Sequence, residues 1–92
     1  MKIYADNAAT TRLSDTALAA MTPCFQEVYG NPSSLHTPGQ QAAEKLAAAR
    51  EIFARNLNAS PRELTFTSGG SEADNQALRS AAALGARRGK RH

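Results

Sequence analysis

Only one run in this 92-residue chain has the compact, β-prone character of a strand, Leu64-Thr65-Phe66-Thr67. A strand is stable only when its backbone groups pair with a neighbour, so one strand cannot build a sheet. The other periodic segments are helical. Ser14 is placed to cap a helix with Asp15 in its first turn, and Leu18, Met21, Phe25 and Val28 then recur at helical spacing. Pro23 interrupts that pattern, which predicts a kink or a short break. From about Gln40 to Leu57, the residues Ala42, Leu46, Ala49, Phe53 and Leu57 share one helical face, and Glu, Lys and Arg fill the other. A third helix is expected from Ser71 to about Ala86. The order reads α, α, β, α, and the lone strand predicts that the chain is incomplete.

The connections carry their own signals. Ile3-Tyr4-Ala5 reads as a short strand or an extended arm, and Asp6 to Thr11 is a small, polar segment with turn chemistry. Tyr29 to Gly39 reads as a loop, with a Gly stop, an Asn-Pro turn starter and a second Pro-Gly punctuation. Ser60-Pro61-Arg62-Glu63 has the form of a capping box, with room for a single turn before the strand. No internal repeat or low-complexity segment interrupts this order.

Composition bounds what such a chain can do. Aromatic residues make up 5% of it and Trp is absent, so any packed core is thin and built largely from Ala. The net charge of +3 raises the question of a nucleic-acid partner. Arg87, Arg88, Lys90 and Arg91 lie in the last six residues; without these four, seven cations face eight acids, a balance of −1. The basic character thus belongs to the end of the third helix, where cations complement the backbone dipole, and no nucleic-acid partner is expected. One cysteine, Cys24, excludes an internal disulfide and a cysteine-rich metal site. The opening Met1 to Asp6 lacks the pattern of a signal peptide, and no stretch approaches the roughly 20 apolar residues of a membrane span. A cytoplasmic chain without membrane contact is the expectation.

The strand–Gly-Gly–helix unit at 64–86 is the most informative feature. Such a turn exposes unpaired N–H groups at the helix start, which together with the helix dipole form an anion site. Gly69 and Gly70 let an anion approach the backbone, and Ser71 adds a hydroxyl donor. The spacing matches neither the nucleotide P-loop nor Gly-x-Gly-x-x-Gly. By itself, Ser68-Gly69-Gly70-Ser71 is a weak signal that favours a plain strand-to-helix turn over an anion site. Glu72 and Asp74 suit a helix N-terminus, yet they repel a phosphate unless their side chains turn away.

Phe66-Thr67-Ser68-Gly69-Gly70-Ser71-Glu72-Ala73-Asp74-Asn75 resembles the phosphate-binding segment of class V aminotransferase-like enzymes, cysteine desulfurases above all. Tyr4 to Thr11, Gly30-Asn31-Pro32-Ser33-Ser34-Leu35-His36 and Ser60 to Phe66 resemble further segments of that family, in the same order and over nearly the whole chain. The resemblance implies an α/β fold: residues 1–92 as the amino-terminal, incomplete part of the large domain of a fold-type I pyridoxal-phosphate enzyme. Within it, residues 1–39 are the arm, first helix and loop. Residues 40–92 are the helix, first strand, phosphate-binding turn and helix. It also implies cofactor phosphate contacts at Gly70 (backbone N–H) and Ser71 (N–H and hydroxyl), where relatives often carry Thr. Asp6 to Thr11 and Asn31 to His36 are implied to border the active-site mouth.

The chemistry implied by the family needs a lysine for the cofactor's Schiff base and an acid for its ring nitrogen. Lys2, Lys45 and Lys90 are the only lysines, and none has the family's Ser-x-His-Lys setting. No catalytic residue is therefore expected in this chain, and His92 is expected on the approach to a next strand. Cys24 lies on the first helix without a paired His and is read as packing, and His36 is read as a hydrogen-bonding post in a loop. No metal-ligand spacing occurs.

The expectation is thus part of a pyridoxal-phosphate-dependent cysteine desulfurase, inactive by itself. The complete enzyme is implied to act on L-cysteine, giving alanine and a persulfide for iron–sulfur clusters, as a homodimer that passes sulfur to acceptor proteins. A selenocysteine lyase or another class V aminotransferase is the alternative within the class. A non-catalytic, truncated or split protein is the alternative outside it.

Overall fold

The computed structural model describes residues 1–90. Arg91 of the basic stretch and His92 lie outside the described residues. Among the described residues the regular structure is three α-helices, α1 (Asp15–Gln26), α2 (Thr37–Asn56) and α3 (Gly70–Arg87), with a short 3₁₀ turn between the last two. The chain divides into two compact units, Met1–Phe53 and Ala54–His92.

In the first unit, Asp6 turns the chain by accepting Ala9 N–H at 3.1 Å and Thr10 N–H at 3.3 Å. The Tyr4 hydroxyl bonds Thr10 Oγ1 across that turn. The expected turn chemistry is present, while Ile3-Tyr4-Ala5 forms an irregular arm and not a strand. Ser14 Oγ caps α1 by accepting Ala17 N–H at 3.1 Å. The Arg12–Asp15 ion pair beside it, at 2.6 Å, is over four-fifths exposed on both sides and adds little.

The break expected at Pro23 does not occur: α1 is assigned as a single helix through it. Proline removes one i→i−4 bond, and here only three helical residues follow, so little of the ladder is lost. The Pro23 carbonyl itself closes the helix by accepting Glu27 N–H at 2.8 Å and Val28 N–H at 2.9 Å.

Helix α2 starts three residues earlier than the periodicity predicts, so Thr37, Pro38 and Gly39 are helical and not loop. His36 is the cause. Its ring Nδ1 accepts Gly39 N–H at 3.2 Å and its carbonyl accepts Gln40 N–H at 3.0 Å, which satisfies two donors of the first turn. Pro38 fits there because a first-turn residue needs no N–H. The preceding loop folds onto this start. Asn31 Oδ1 accepts Ser33 N–H at 3.0 Å, and Asn31 O accepts Ser34 N–H at 2.9 Å. Gly39 is buried in that fold, and a Cβ there would lie 2.4 Å from Ser34 O.

In the second unit, α2 ends with Asn58 in the left-handed region, φ 51°. Ala59 N–H reaches Ala54 O at 2.9 Å and Asn58 N–H reaches Arg55 O at 3.3 Å, a Schellman motif. Helix α3 stops the same way: Gly89 has φ 69°, and Lys90 N–H bonds Gly85 O at 2.9 Å. Between them, the capping box is formed as expected. Ser60 N–H donates to Glu63 Oε2 at 2.7 Å, Ser60 Oγ accepts Arg62 N–H at 3.4 Å, and a single 3₁₀ turn, Pro61–Glu63, follows.

The expected first strand at 64–67 is not formed, and no strand occurs among the described residues. The backbone is extended at Leu64, with φ −97° and ψ 132°, so the β preference is expressed locally. No second β-prone run lies in this sequence to complete a ladder, and a strand exists only as a member of a sheet. Thr65 and Thr67, alternate residues of the run, line a shallow groove with Ala73 and Ala77 of α3.

The core is as thin as composition predicts. Among the described residues the only buried apolar side chain is Ala54, while Phe25, Tyr29 and Leu78 are each more than 70% exposed. The face predicted for α2 also lies open, with Phe53 at 55% and Leu57 at 63%.

Candidate phosphate-binding turn

The turn Ser68-Gly69-Gly70 joins the extended run to α3, and both expected site residues, Gly70 and Ser71, stand in the helix's first turn. The first intrahelical bond is Ala73 N–H to Gly69 O at 3.1 Å. The amides of Gly70, Ser71 and Glu72 therefore precede the ladder and have no carbonyl within α3 to meet. No side chain caps this end: Gly69, at the cap position, has none to offer. A Cβ built on Gly69 or Gly70 meets nothing within 4 Å, so the space above these amides is open.

Ser71 is exposed, and its carbonyl accepts the Asn75 side-chain amide at 2.8 Å. The donor set is thus two adjacent backbone N–H groups and one hydroxyl at the positive end of an 18-residue helix. That chemistry fits the phosphate of pyridoxal phosphate.

Thr67, Ser68 and Glu72 shape this turn. Thr67 Oγ1 donates to Gly69 O at 3.0 Å. Ser68 donates its N–H to Glu72 Oε2 at 2.9 Å, and its hydroxyl donates to the same oxygen. These bonds hold the Glu72 carboxyl below its ordinary proton affinity, the Ser68 hydroxyl contributing most and the Ser68 N–H next. Glu72 thus turns back towards Ser68. The signal was the Ser68–Glu72 spacing, a capping-box relation shifted by one residue.

The other singled-out residues keep structural roles. His36 is the cap of α2, in line with the hydrogen-bonding post expected. Cys24 is free and partly exposed, with its thiol 3.9 Å from Ala20 O. Lys90 follows α3 at the end opposite the turn, about 27 Å away along a helix of this length. No helix among the described residues is long and apolar enough to cross a membrane.

The model of the aminotransferase class-V family matches residues 3–91, a span that includes the extended run, the glycine turn and α3, and this chain belongs to that family. Among its curated relatives, a cysteine desulfurase of Cereibacter sphaeroides is 51% identical over 83 residues, 89% of this chain and 21% of that protein. A cysteine desulfurase of a Nostoc species is 47% identical over 90 residues, 98% of this chain and 22% of that protein. The cysteine desulfurase IscS of Clostridium botulinum is 42% identical over 88 residues, 96% of this chain and 22% of that protein. The chain spans about a fifth of the length of the relatives it matches. No solved structure matches it significantly.

Proposed function

We propose that residues 1–92 are the amino-terminal part of a pyridoxal-phosphate-dependent cysteine desulfurase of fold-type I, and that they anchor the cofactor's phosphate. The observation that carries this reading is the open donor set at the start of α3. The amides of Gly70 and Ser71 and the Ser71 hydroxyl donate to the phosphate, and the helix dipole favours its charge. Bound pyridoxal phosphate supplies an electron sink for breaking the C–S bond of L-cysteine. A cysteine thiolate in the rest of the protein would bond to the substrate sulfur as the C–S bond breaks, giving a persulfide bound for acceptor proteins, while the electron pair and a proton end on the carbon that becomes alanine. Relatives named cysteine desulfurase support this reading over a selenocysteine lyase.

The arm, first helix and loop of 1–39 and the helix, extended run, turn and helix of 40–92 are parts of one class V domain in this reading. Asp6 to Thr11 and Asn31 to His36 border the active-site mouth, and the complete enzyme is a cytoplasmic homodimer. The Schiff-base lysine is supplied by the rest of the protein. The position of Lys90 a helix length from the turn supports this.

The test is a pyridoxal-phosphate titration of the complete protein, followed by cofactor absorbance. Ser71→Ala removes a hydrogen bond to a charged group, about 1.5–3 kcal/mol, and lowers affinity roughly ten- to a hundredfold. Gly70→Asp lowers it further by adding negative charge, at a position where a Cβ meets nothing within 4 Å among the described residues. Ser71→Thr keeps the hydroxyl and stays close to the original affinity. Unchanged affinity in Ser71→Ala and Gly70→Asp leaves the turn as ordinary strand-to-helix architecture.

A further inference from the structure

Glu72 poses a problem for any anion site at this turn. It follows Ser71 directly, and a carboxylate at that place should oppose a phosphate. Its observed placement points elsewhere. Oε2 accepts both the N–H and the hydroxyl of Ser68, so the side chain reaches back from the helix's third residue to the residue before the cap. One side chain thereby spans Gly69-Gly70 and ties the two ends of the turn together.

The turn needs such a tie. Gly69 and Gly70 lose more conformational freedom on ordering than any other residues, and neither has a side chain to pack. The cap position offers no side-chain bond. Thr67 Oγ1, donating to Gly69 O at 3.0 Å, braces the turn from the preceding side.

We infer that Glu72 is a positioning residue for the phosphate: it fixes the Ser68-Gly69-Gly70 turn so that the Gly70 and Ser71 amides stay aligned, while its bonds to Ser68 hold its own charge away. This rests on the phosphate reading above and deepens it. The lowered proton affinity of the carboxyl keeps it in the accepting form at neutral pH. The inference is sharp because a merely repelling Glu72 predicts the opposite sign: its removal strengthens phosphate binding.

The experiment uses the complete protein carrying this chain, with pyridoxal phosphate as ligand, inorganic phosphate as competitor, and Ser71→Ala and Gly70→Asp as references. Glu72→Ala is expected to weaken both ligands about two- to tenfold. Glu72→Gln keeps an acceptor oxygen in place and stays within about twofold. Hydrogen exchange of the Ser68 amide is faster in Glu72→Ala than in Glu72→Gln, a readout independent of cofactor chemistry. If Glu72→Ala does not fold, Ser68→Ala is read in its place, with weaker binding expected. Tighter or unchanged binding in the variant read, with Ser71→Ala and Gly70→Asp still impaired, overturns the role of Glu72 alone. Unchanged binding in Ser71→Ala and Gly70→Asp overturns the phosphate reading, and the role of Glu72 falls with it.

Discussion

At Glu72 the local chemistry has a pH signature. Its folded-state proton affinity is lowered, so the bonds to Ser68 are complete above the ordinary carboxyl value of about 4.5 and are lost as pH falls through the lowered folded value. The group is fully exposed, so the effect is local ordering and not global stability. Protection of the Ser68 amide, read by hydrogen exchange, is expected to hold from neutral pH to about 4.5 and to decline below it. Glu72→Gln is expected to abolish that acid limb, and an unchanged limb in the variant would remove Glu72 as its cause. That Gly70 and Ser71 stand at the start of α3 was legible in the sequence, because a glycine pair before a helical run announces a helix start with unpaired amides. The direction of the Glu72 carboxylate was not, because two acids in a helix's first turns have the same sequence pattern whichever way they point.

Among the elements, the helices were legible and their ends less so. Periodicity placed the body of α2, but its start depends on His36, which is not among the usual capping residues. Only the geometry, with Nδ1 facing Gly39 N–H at 3.2 Å, shows the ring as the cap. His36→Ala is expected to cost about 0.5–2 kcal/mol, as loss of a cap does, and to speed amide exchange at residues 37–40. His36→Asn, a strong capping residue, is expected to recover most of that loss. Equal exchange in all three proteins would show that the cap contributes nothing. The run at 64–67 marks the opposite limit: β preference was readable, but whether a strand forms depends on a partner that no local pattern supplies. Its extended backbone at Leu64 is the share that the residues themselves decide.

For the whole molecule, burial is the deciding quantity. With Ala54, 1% exposed, as the one buried apolar side chain among the described residues, the chain gains little from the hydrophobic effect. Leu18, Met21 and Phe25 of α1 and Leu78 and Leu84 of α3 are all at least 42% exposed. On the proposed reading, the remainder of the complete protein covers these faces. The 92-residue chain in isolation is therefore expected to be molten, oligomeric or aggregated, with poor amide dispersion and no cooperative monomeric melt. A dispersed spectrum with a sharp monomeric transition would show that these residues suffice for a fold.

On the proposed reading, this chain holds the cofactor phosphate of a cysteine desulfurase while the reacting lysine lies elsewhere in the protein. Sulfide release from L-cysteine tests it most directly, with pyridoxal phosphate and a thiol reductant present, for the complete protein and for residues 1–92 side by side. Release is expected from the complete protein, and none above the free-cofactor rate from the 92-residue chain. Release by the short chain that disappears on changing Lys2, Lys45 or Lys90, or none by the cofactor-loaded complete protein, would contradict it.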